Sequence, residues 1–299
     1  MRPKEYRIKE LLRKKGLDGA IVSSPENFHY VTGFGGHQHT VSRQPGFTLA
    51  VMRADDKVPT HLTTMDFEAA TFRIKATGLN FVVDPYDTWV GLKTWDEIAH
   101  GAVVPDKTAM ESSMDKLVQF MKACDLANKK VGIELDYLPV PYYKSLTEKF
   151  PEAEFVDISD LFVYARSVKQ PDEIEMFRKL CRIADHGFTE VSKIAKIGVS
   201  ERELVQCFRE DVIKSGFCAP SAWSMCSTGP SSARLTLPGD GVVKDGDVVK
   251  FDAGVNAEFD FYTTDTSRAW IIGNGDPALL KLKDRLYEGQ RRMIAAAKP

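Results

Sequence analysis

Two aspartates near the carboxyl end of the chain have the residue type and the spacing to bind cations. Asp252 and Asp265 lie in two strand-like segments that a glycine turn separates. If the segments pair, the carboxylates can face each other across a sheet, and oxygen ligands a few Å apart suit two bridged divalent cations. Without a cation, carboxylates 4 Å apart repel by about 1 kcal/mol in water and about 4 kcal/mol at an effective dielectric of 20, which favours protonation of one of them. The spacing alone leaves another interpretation open, in which Asp252 only precedes a turn and Asp265 is solvated.

The elements around these aspartates are predicted from hydrophobic period and capping residues. Residues 242–254 and 259–272 predict an antiparallel hairpin rich in Val, Thr and aromatic residues. Before them, apolar residues three or four apart predict a long helix that begins at Pro171. Ser200–Glu203 has the pattern of a capping box and predicts a second helix, and Asp276 is placed to cap a last one, 277–297.

The first half of the chain predicts alternating helices and strands, which is typical of an α/β domain. Ser24 and Pro25 have the types expected at a helix start. The predicted helices are 3–15, 113–127 and 140–149, and the predicted strands are 20–22, 47–53, 58–63, 80–83 and 130–134. The domain prediction is therefore 1–158 for a first domain, a polar linker at 159–172, and a second domain at 173–299.

Composition excludes several classes of protein. The 299 residues include 40 Lys plus Arg and 42 Asp plus Glu, a net charge of −2, so no basic field is available for nucleic acid. No apolar stretch approaches the roughly 20 residues of a membrane span, and no secretory signal follows the first residues, so a cytoplasmic protein is predicted. Five cysteines without a Cys-x-x-Cys pair predict small buried side chains in a reducing compartment.

Several segments, in the right order, resemble the creatinase, aminopeptidase P and prolidase family. They are Leu17–Val22, Asn27–Phe34, Arg166–Ile174, Lys244–Gly254 and the pattern Tyr262-x-x-Asp265-x-x-Arg268. The resemblance covers nearly the whole chain. It implies a creatinase-type, ribonuclease-H-like α/β domain followed by an α+β catalytic domain of the pita-bread fold, here incomplete.

The resemblance also implies an activity: a metal-dependent hydrolase of Xaa-Pro dipeptidase or aminopeptidase P type, which acts on a C–N bond of a dipeptide-like or small amide substrate. Such proteins use two divalent ions, Mn, Co, Fe or Zn, and commonly form homodimers. Carried over by motif, Asp252 is a terminal metal ligand, Asp265 is the bridging carboxylate, and Arg268 orients Asp265. A surface ion pair is the simpler alternative for Arg268.

Three departures from the family pattern qualify this expectation. Relatives place a His and two Glu ligands after the last helix present here, whereas no His follows His186 and only Glu288 follows Glu258. We therefore expect a shortened form whose last ligands lie outside these residues, and in which the metals can be missing. Relatives with peptidase activity also place a His in the segment 229–238, where this chain has Leu235 or Thr236. The two aspartates are two residues farther apart than expected, which predicts a bulge or a longer turn at 256–260 and makes Asp260 an alternative ligand.

Further pocket candidates are less specific. His37 and His39 could reach a partner subunit's active site or belong to a polar loop, and Trp223 and Tyr262 could line a pocket or the core. The missing His leaves two alternatives open. One is a non-peptidase relative similar to creatinase, ectoine hydrolase or dimethylsulfoniopropionate lyase, and the other is a catalytically silent binding protein with the same fold.

Overall fold

The computed structural model describes residues 3–88, 95–101, 107–234, 236–257 and 260–298. Two compact units divide the chain, Met1–Lys169 and Gln170–Pro299. Each unit has its own hydrophobic core, so each is described by itself.

The first unit is a six-stranded mixed sheet with helices around it, in the strand order β4-β3-β2-β1-β5-β6. Its strands are β1 (Gly19–Val22), β2 (Leu49–Arg53), β3 (Thr60–Thr63), β4 (Phe81–Val83), β5 (Lys130–Ile133) and β6 (Glu154–Asp157). Its helices are α1 (Pro3–Lys14), α2 (Pro25–Thr32), α3 (His37–Val41), α4 (Ala69–Ala76), α5 (Trp95–Ala99), α6 (Ala109–Ala123), α7 (Val140–Lys149) and α8 (Ser159–Ser167). A short 3₁₀ turn, Asp66–Glu68, precedes α4.

Strand alternation gives this sheet two cores. In β1, Ala20 and Val22 pack on one side with Ile8 and Phe28, whereas Ile21 packs on the other side with residues of α6 and α7. The predicted strands 47–53 and 58–63 correspond to β2 and β3, which pair in antiparallel register. The predicted start of α2 is also confirmed, since the Ser24 side chain accepts a hydrogen bond from the backbone N–H of Asn27.

The segment 159–172, interpreted from sequence as a linker, is mostly helical. α8 buries Leu161, Phe162 and Ala165 in the first core, and the boundary between the two units falls after Lys169. The run 166–172 predicted a linker because it is polar and lies between two segments with clear hydrophobic patterns. The connection between the units is therefore shorter than expected.

The second unit has two small sheets, of order β11-β9-β8 and β10-β7. Its strands are β7 (Cys218–Pro220), β8 (Met225–Thr228), β9 (Val248–Ala253), β10 (Val255–Ala257) and β11 (Thr266–Ile271), and its helices are α9 (Pro171–Ile194), α10 (Glu201–Lys214) and α11 (Pro277–Ala296). Val249, Phe251 and Ala253 of β9 join the core formed by α9 and α10. The capping boxes at Gln170 and Ser200 confirm the predicted starts of both helices.

Two further expectations differ from the structure, one for the strands of this unit and one for the cysteines of the chain. The strand expected over 259–272 is regular only in β11, because the chain turns before Thr266, and β7 and β8 were not predicted. All five cysteines are free, but Cys181 is exposed and Cys207 is half-buried, so burial holds only for Cys124, Cys218 and Cys226. No helix in the described ranges is long and apolar enough to cross a membrane.

Candidate metal centre

The structure brings the two predicted ligands together. β9 and β11 pair in antiparallel register, with Asp252 opposite Ser267. Asp265 lies two residues before Ser267, so the period of two directs both carboxylates to one face of the sheet. Burial raises the pKa of Asp252, and the charge and the hydrogen-bond contact of Asp265 raise it further, while Lys250 opposes this shift. The two carboxylates therefore form one acidic pair.

One oxygen of the pair lacks a hydrogen-bond partner. Asp252 Oδ1 is buried and receives no hydrogen bond. A buried acceptor without a donor costs about 1–3 kcal/mol, and a cation can replace the missing donor. The pair thus fits two ligands of a divalent ion. Within the ranges that the structure describes, no group of three or more His, Cys, Asp or Glu side chains could hold a metal, so these residues supply only part of a coordination shell.

A close approach of backbone at Gly254 holds the acidic pair in place. A Cβ at this position would overlap the carbonyl oxygen of Thr264, so only glycine permits the contact. Thr264 also ties the two segments together, since its N–H donates to Val255 O at 3.0 Å and its Oγ1 accepts from Val255 N at 3.0 Å. Gly254 and Thr264 therefore set the distance between the segments that carry the aspartates.

The segments that carry the two aspartates remain hydrogen-bonded beyond this contact. Ala257 N donates to Tyr262 O at 2.8 Å, and Asn256 forms an isolated bridge with Thr263. Residues 258 and 259 lie outside the described ranges. Asp260 is half-buried in a turn, and its role as an alternative ligand stays a prediction.

The predicted role of Arg268 needs correction. Arg268 pairs with Phe251 of β9, so it lies on the core face of the sheet, opposite the acidic pair. Its guanidinium donates to Asp185 Oδ1 at 2.6 Å and lies over the ring of Phe188. An offset of three along a strand changes the face, so Arg268 cannot orient Asp265 from this position. The surface ion pair, the simpler alternative, is what the structure contains.

The two aromatic candidates lie in different surroundings. The hydroxyl of Tyr262 donates to Glu173 Oε1 at 2.8 Å, and its ring stands edge-on to Phe177, so Tyr262 packs against α9. The ring of Trp223 lies next to Gly254, because a Cβ added to Gly254 would stand 3.0 Å from the Cζ2 atom of Trp223. Trp223 therefore lies beside the hairpin and Tyr262 lies on the helix side.

The histidine candidates belong to the first unit. His37 begins α3 and is exposed. His39 is 2% exposed, with Nε2 at 2.9 Å from Ser23 O and its ring edge-on to Phe28. Burial lowers the pKa of His39 to about 4, although its contact with Ser23 O opposes this shift. His39 is thus packed in the interior of its own unit, in contact with Ser23 and Phe28, whereas one expectation placed it in a polar loop.

Two residues of the second unit, Glu201 and Lys250, have roles that the sequence did not predict. Glu201 holds both ends of the loop 228–241, since its carboxylate accepts from Thr228 N at 2.8 Å and from Gly239 N at 2.7 Å. Lys250 shares the face of Asp252 and donates to Arg234 O at 2.8 Å, so the backbone of Arg234 lies beside this face. Leu235, a candidate in the same segment, lies outside the described residues. The sequence contained one signal for Lys250. A charged residue within the apolar run 248–251, two positions before Asp252, indicates a side chain on the same face of the strand as that aspartate.

Two family descriptions match almost the whole chain. Residues 6–168 match the creatinase/prolidase N-terminal domain, and residues 175–299 match metallopeptidase family M24. Among curated proteins, a Xaa-Pro dipeptidase of Lactobacillus delbrueckii subsp. lactis is 23% identical over 98% of this chain and 72% of its own length. The uncharacterized peptidase YqhT of Bacillus subtilis is 24% identical over 98% of this chain and 72% of its own length.

Solved structures share the fold. A Xaa-Pro dipeptidase from Bacillus anthracis has a TM-score of 0.74 at 21% identity, covering 97% of this chain and 70% of the other. A prolidase from Pyrococcus horikoshii has a TM-score of 0.73 at 20% identity, covering 100% and 73%. The resemblance to this family and the expected fold are thereby confirmed. The chain belongs to metallopeptidase family M24, with a creatinase/prolidase N-terminal domain preceding a catalytic domain of the pita-bread fold.

Proposed function

We propose that the protein is a metal-dependent hydrolase of Xaa-Pro dipeptidase or aminopeptidase P type, which cleaves a C–N bond in a dipeptide-like or small amide substrate. The observation that carries this proposal is the acidic pair Asp252 and Asp265, with one buried oxygen that has no donor, in a chain of family M24. The curated Xaa-Pro dipeptidase and the fold of solved prolidases agree with this substrate class.

The roles of this chain's residues follow from charge and position. Asp252 would be a terminal ligand and Asp265 a bridging ligand, and their mutual repulsion makes the site selective for cations. Two divalent ions, when bound, supply a polarised carbonyl and a deprotonated water for attack. The loop 228–241, which Lys250 contacts from the same sheet face, would limit the access of water and substrate.

The remaining ligands, a His and two Glu, are proposed to lie outside the printed residues. The chain spans 72% of the length of the dipeptidase and peptidase relatives and 70% of the B. anthracis structure. No His follows His186 in the sequence. We further propose that the complete protein forms a homodimer, as the family resemblance implies.

A non-peptidase hydrolase is the second candidate. The segment 229–238 contains no His, so the proton donor that the family resemblance leads us to expect near Thr236 is missing. A substrate whose leaving group needs no such donor would fit this difference. Hydrolysis of Xaa-Pro dipeptides, compared with that of non-peptide amides, distinguishes the two candidates.

Metal analysis of the protein as its gene encodes it tests the proposal directly. We expect close to two Mn, Fe, Co or Zn ions per chain and a rise in melting temperature with added Mn²⁺. No bound metal and no change in melting temperature would favour the silent binding protein instead. Activity against a panel of dipeptides and amides, assayed on the metal-loaded protein, then identifies the substrate class.

A further inference from the structure

The face of the sheet that carries the acidic pair also carries one cation. β9 contributes Lys250 and Asp252 to this face. The strand residues opposite Lys250 are small, Ala269 on β11 and Ser227 on β8. Two residues along a strand span about 6.6–6.8 Å, so the base of the Lys250 side chain stands about that far from the base of Asp252. The neighbouring strands therefore place no large side chain directly beside Lys250.

The ammonium group of Lys250 retains hydrogen-bonding capacity. It donates one hydrogen bond, to Arg234 O at 2.8 Å, and that bond is exposed to solvent. An ammonium has three donors, and no carboxylate of the described residues forms an ion pair with Lys250. Two donors of the ammonium group therefore remain available on the face of the acidic pair.

We infer that Lys250 binds an anionic group of the substrate, a carboxylate next to the scissile amide, and so selects acidic over neutral substrates. This inference rests on the proposed function of the acidic pair. In a dipeptide-like substrate the scissile carbonyl and the terminal carboxylate are one residue apart, about 3.8 Å between the Cα atoms. The long, flexible lysine side chain covers the difference between this distance and the strand spacing.

Charge favours the same orientation of the substrate. The acidic pair repels a carboxylate, whereas Lys250 attracts it, so an anionic substrate would lie with its acid toward Lys250 and its amide toward Asp252 and Asp265. A charge-assisted hydrogen bond is roughly twice as strong as a neutral one. Lys250 would thus be a specificity-determining residue that touches the substrate and takes no part in bond cleavage.

The test compares two probes that differ only in this charge, N-acetyl-L-proline and N-acetyl-L-prolinamide. Calorimetric titration of the full chain, without metal and with Mn²⁺, gives their dissociation constants. We expect the wild-type chain to bind the acid about tenfold more tightly than the amide, and Lys250→Gln to remove this preference while keeping a donor for Arg234 O. Lys250→Arg should retain the preference.

Control variants test whether the preference for the acid comes from the charge of Lys250 itself. Lys244→Met removes a cation from the turn before β9 and should leave the preference unchanged. Lys250→Met serves as a second neutral variant if Lys250→Gln does not fold. Three results would overturn the inference: an unchanged preference in the neutral variants, equal loss of affinity for both probes, and no binding of either probe to the wild-type chain. If the chain prefers the acid but the protein hydrolyses no amide, the inference about Lys250 stands and the proposed function fails.

Discussion

At the level of single residues, Asp252 and Asp265 combine a binding function with an electrostatic cost. Burial and the neighbouring carboxylate both raise the pKa of Asp252, so the fold without metal holds a carboxyl group under repulsion. Asp265 is exposed, and water screens much of the interaction. The cost is therefore small, at most about 1 kcal/mol.

Asp265→Asn should raise the stability of the metal-free chain and remove its response to metal. The substitution removes the negative charge that repels Asp252, so the folded chain becomes more stable. We expect an increase of a few degrees in the melting temperature. Added Mn²⁺ should stabilise the wild-type chain but not the variant. Calorimetry with and without Mn²⁺ measures both effects.

Asp240→Asn is the matched control for this substitution. Asp240 is an exposed aspartate in the same unit, paired with Arg202, and its substitution should leave the Mn²⁺ response intact. A response to Mn²⁺ that persists in Asp265→Asn would contradict the assignment of this residue as a ligand.

His39 makes the stability of the first unit depend on pH. Its pKa is lowered to about 4 in the fold, chiefly by burial, with Arg43 acting in the same direction and Glu26 and Ser23 O opposing. Because the unfolded chain binds a proton near pH 6.5, stability is complete above that value and is lost as the pH falls toward 4. The loss amounts to roughly 3 kcal/mol.

His39→Gln should remove this pH dependence. Glutamine is neutral at all these pH values and retains a donor for Ser23 O. Urea unfolding at pH 7, 6, 5 and 4.5 should give a steeper decline for the wild-type chain than for the variant. Parallel declines would mean that other groups cause the acid sensitivity.

At the level of helices and strands, local sequence predicted more than long-range pairing. α2, α9 and α10 were predicted because Ser24, Pro171 and Ser200 provide local start signals. β7 and β8 were missed because they are short, three and four residues, and gain their partners from distant segments. Pairing of that kind leaves little periodic pattern in the strand itself.

In the candidate site too, local features were predictable from sequence and long-range contacts were not. The acidic pair was predictable from motif and hairpin, whereas the role of Arg268 was not, because the sequence spacing says nothing about the face until the register is known. The contribution of Glu201 depends on a loop 27 positions farther along the chain. Only the folded structure brings these residues together.

Glu201→Ala should loosen the loop 228–241. The buried carboxylate accepts backbone hydrogen bonds at Thr228 and Gly239, so its removal leaves two N–H groups without their acceptor, at about 1–3 kcal/mol each where they stay buried. We expect faster amide exchange and earlier proteolytic cleavage within this loop. Hydrogen exchange followed by mass spectrometry measures the change.

Glu203→Ala is the matched control in the same helix. Glu203 completes the capping box with Ser200 and does not contact the loop, so its loss should affect the start of α10 alone. Equal amide exchange in the loop for both variants would contradict the prediction that the hydrogen bonds of Glu201 hold the loop in place.

At the level of the whole chain, the exposed apolar residues of α11 predict association. None of the residues of α11 is buried, and Leu286, Met293 and Ile294 are 65%, 69% and 69% exposed. Contiguous apolar surface of this kind marks interaction sites or association in solution. We expect the 299-residue chain to associate with increasing concentration and to bind a hydrophobic dye.

A double substitution on α11, Leu286→Glu with Met293→Lys, should reduce both effects. Light scattering and dye fluorescence across a concentration series measure them, with Lys281→Glu as a control for charge alone. A wild-type chain that stays monomeric and binds no dye would contradict the prediction that the apolar residues of α11 are exposed in solution.

The alternation along β9 separates what keeps the second unit folded from what gives it reactivity. Phe251 and Ala253 point into the interior, and Asp252 points away from it. The carboxylate can therefore be substituted during evolution without a change in the core residues of β9. A descendant could lose its carboxylates by single substitutions, keep its shape, and be recruited as a receptor for small acids. A high melting temperature in the absence of metal therefore does not by itself show that a given member turns over substrate.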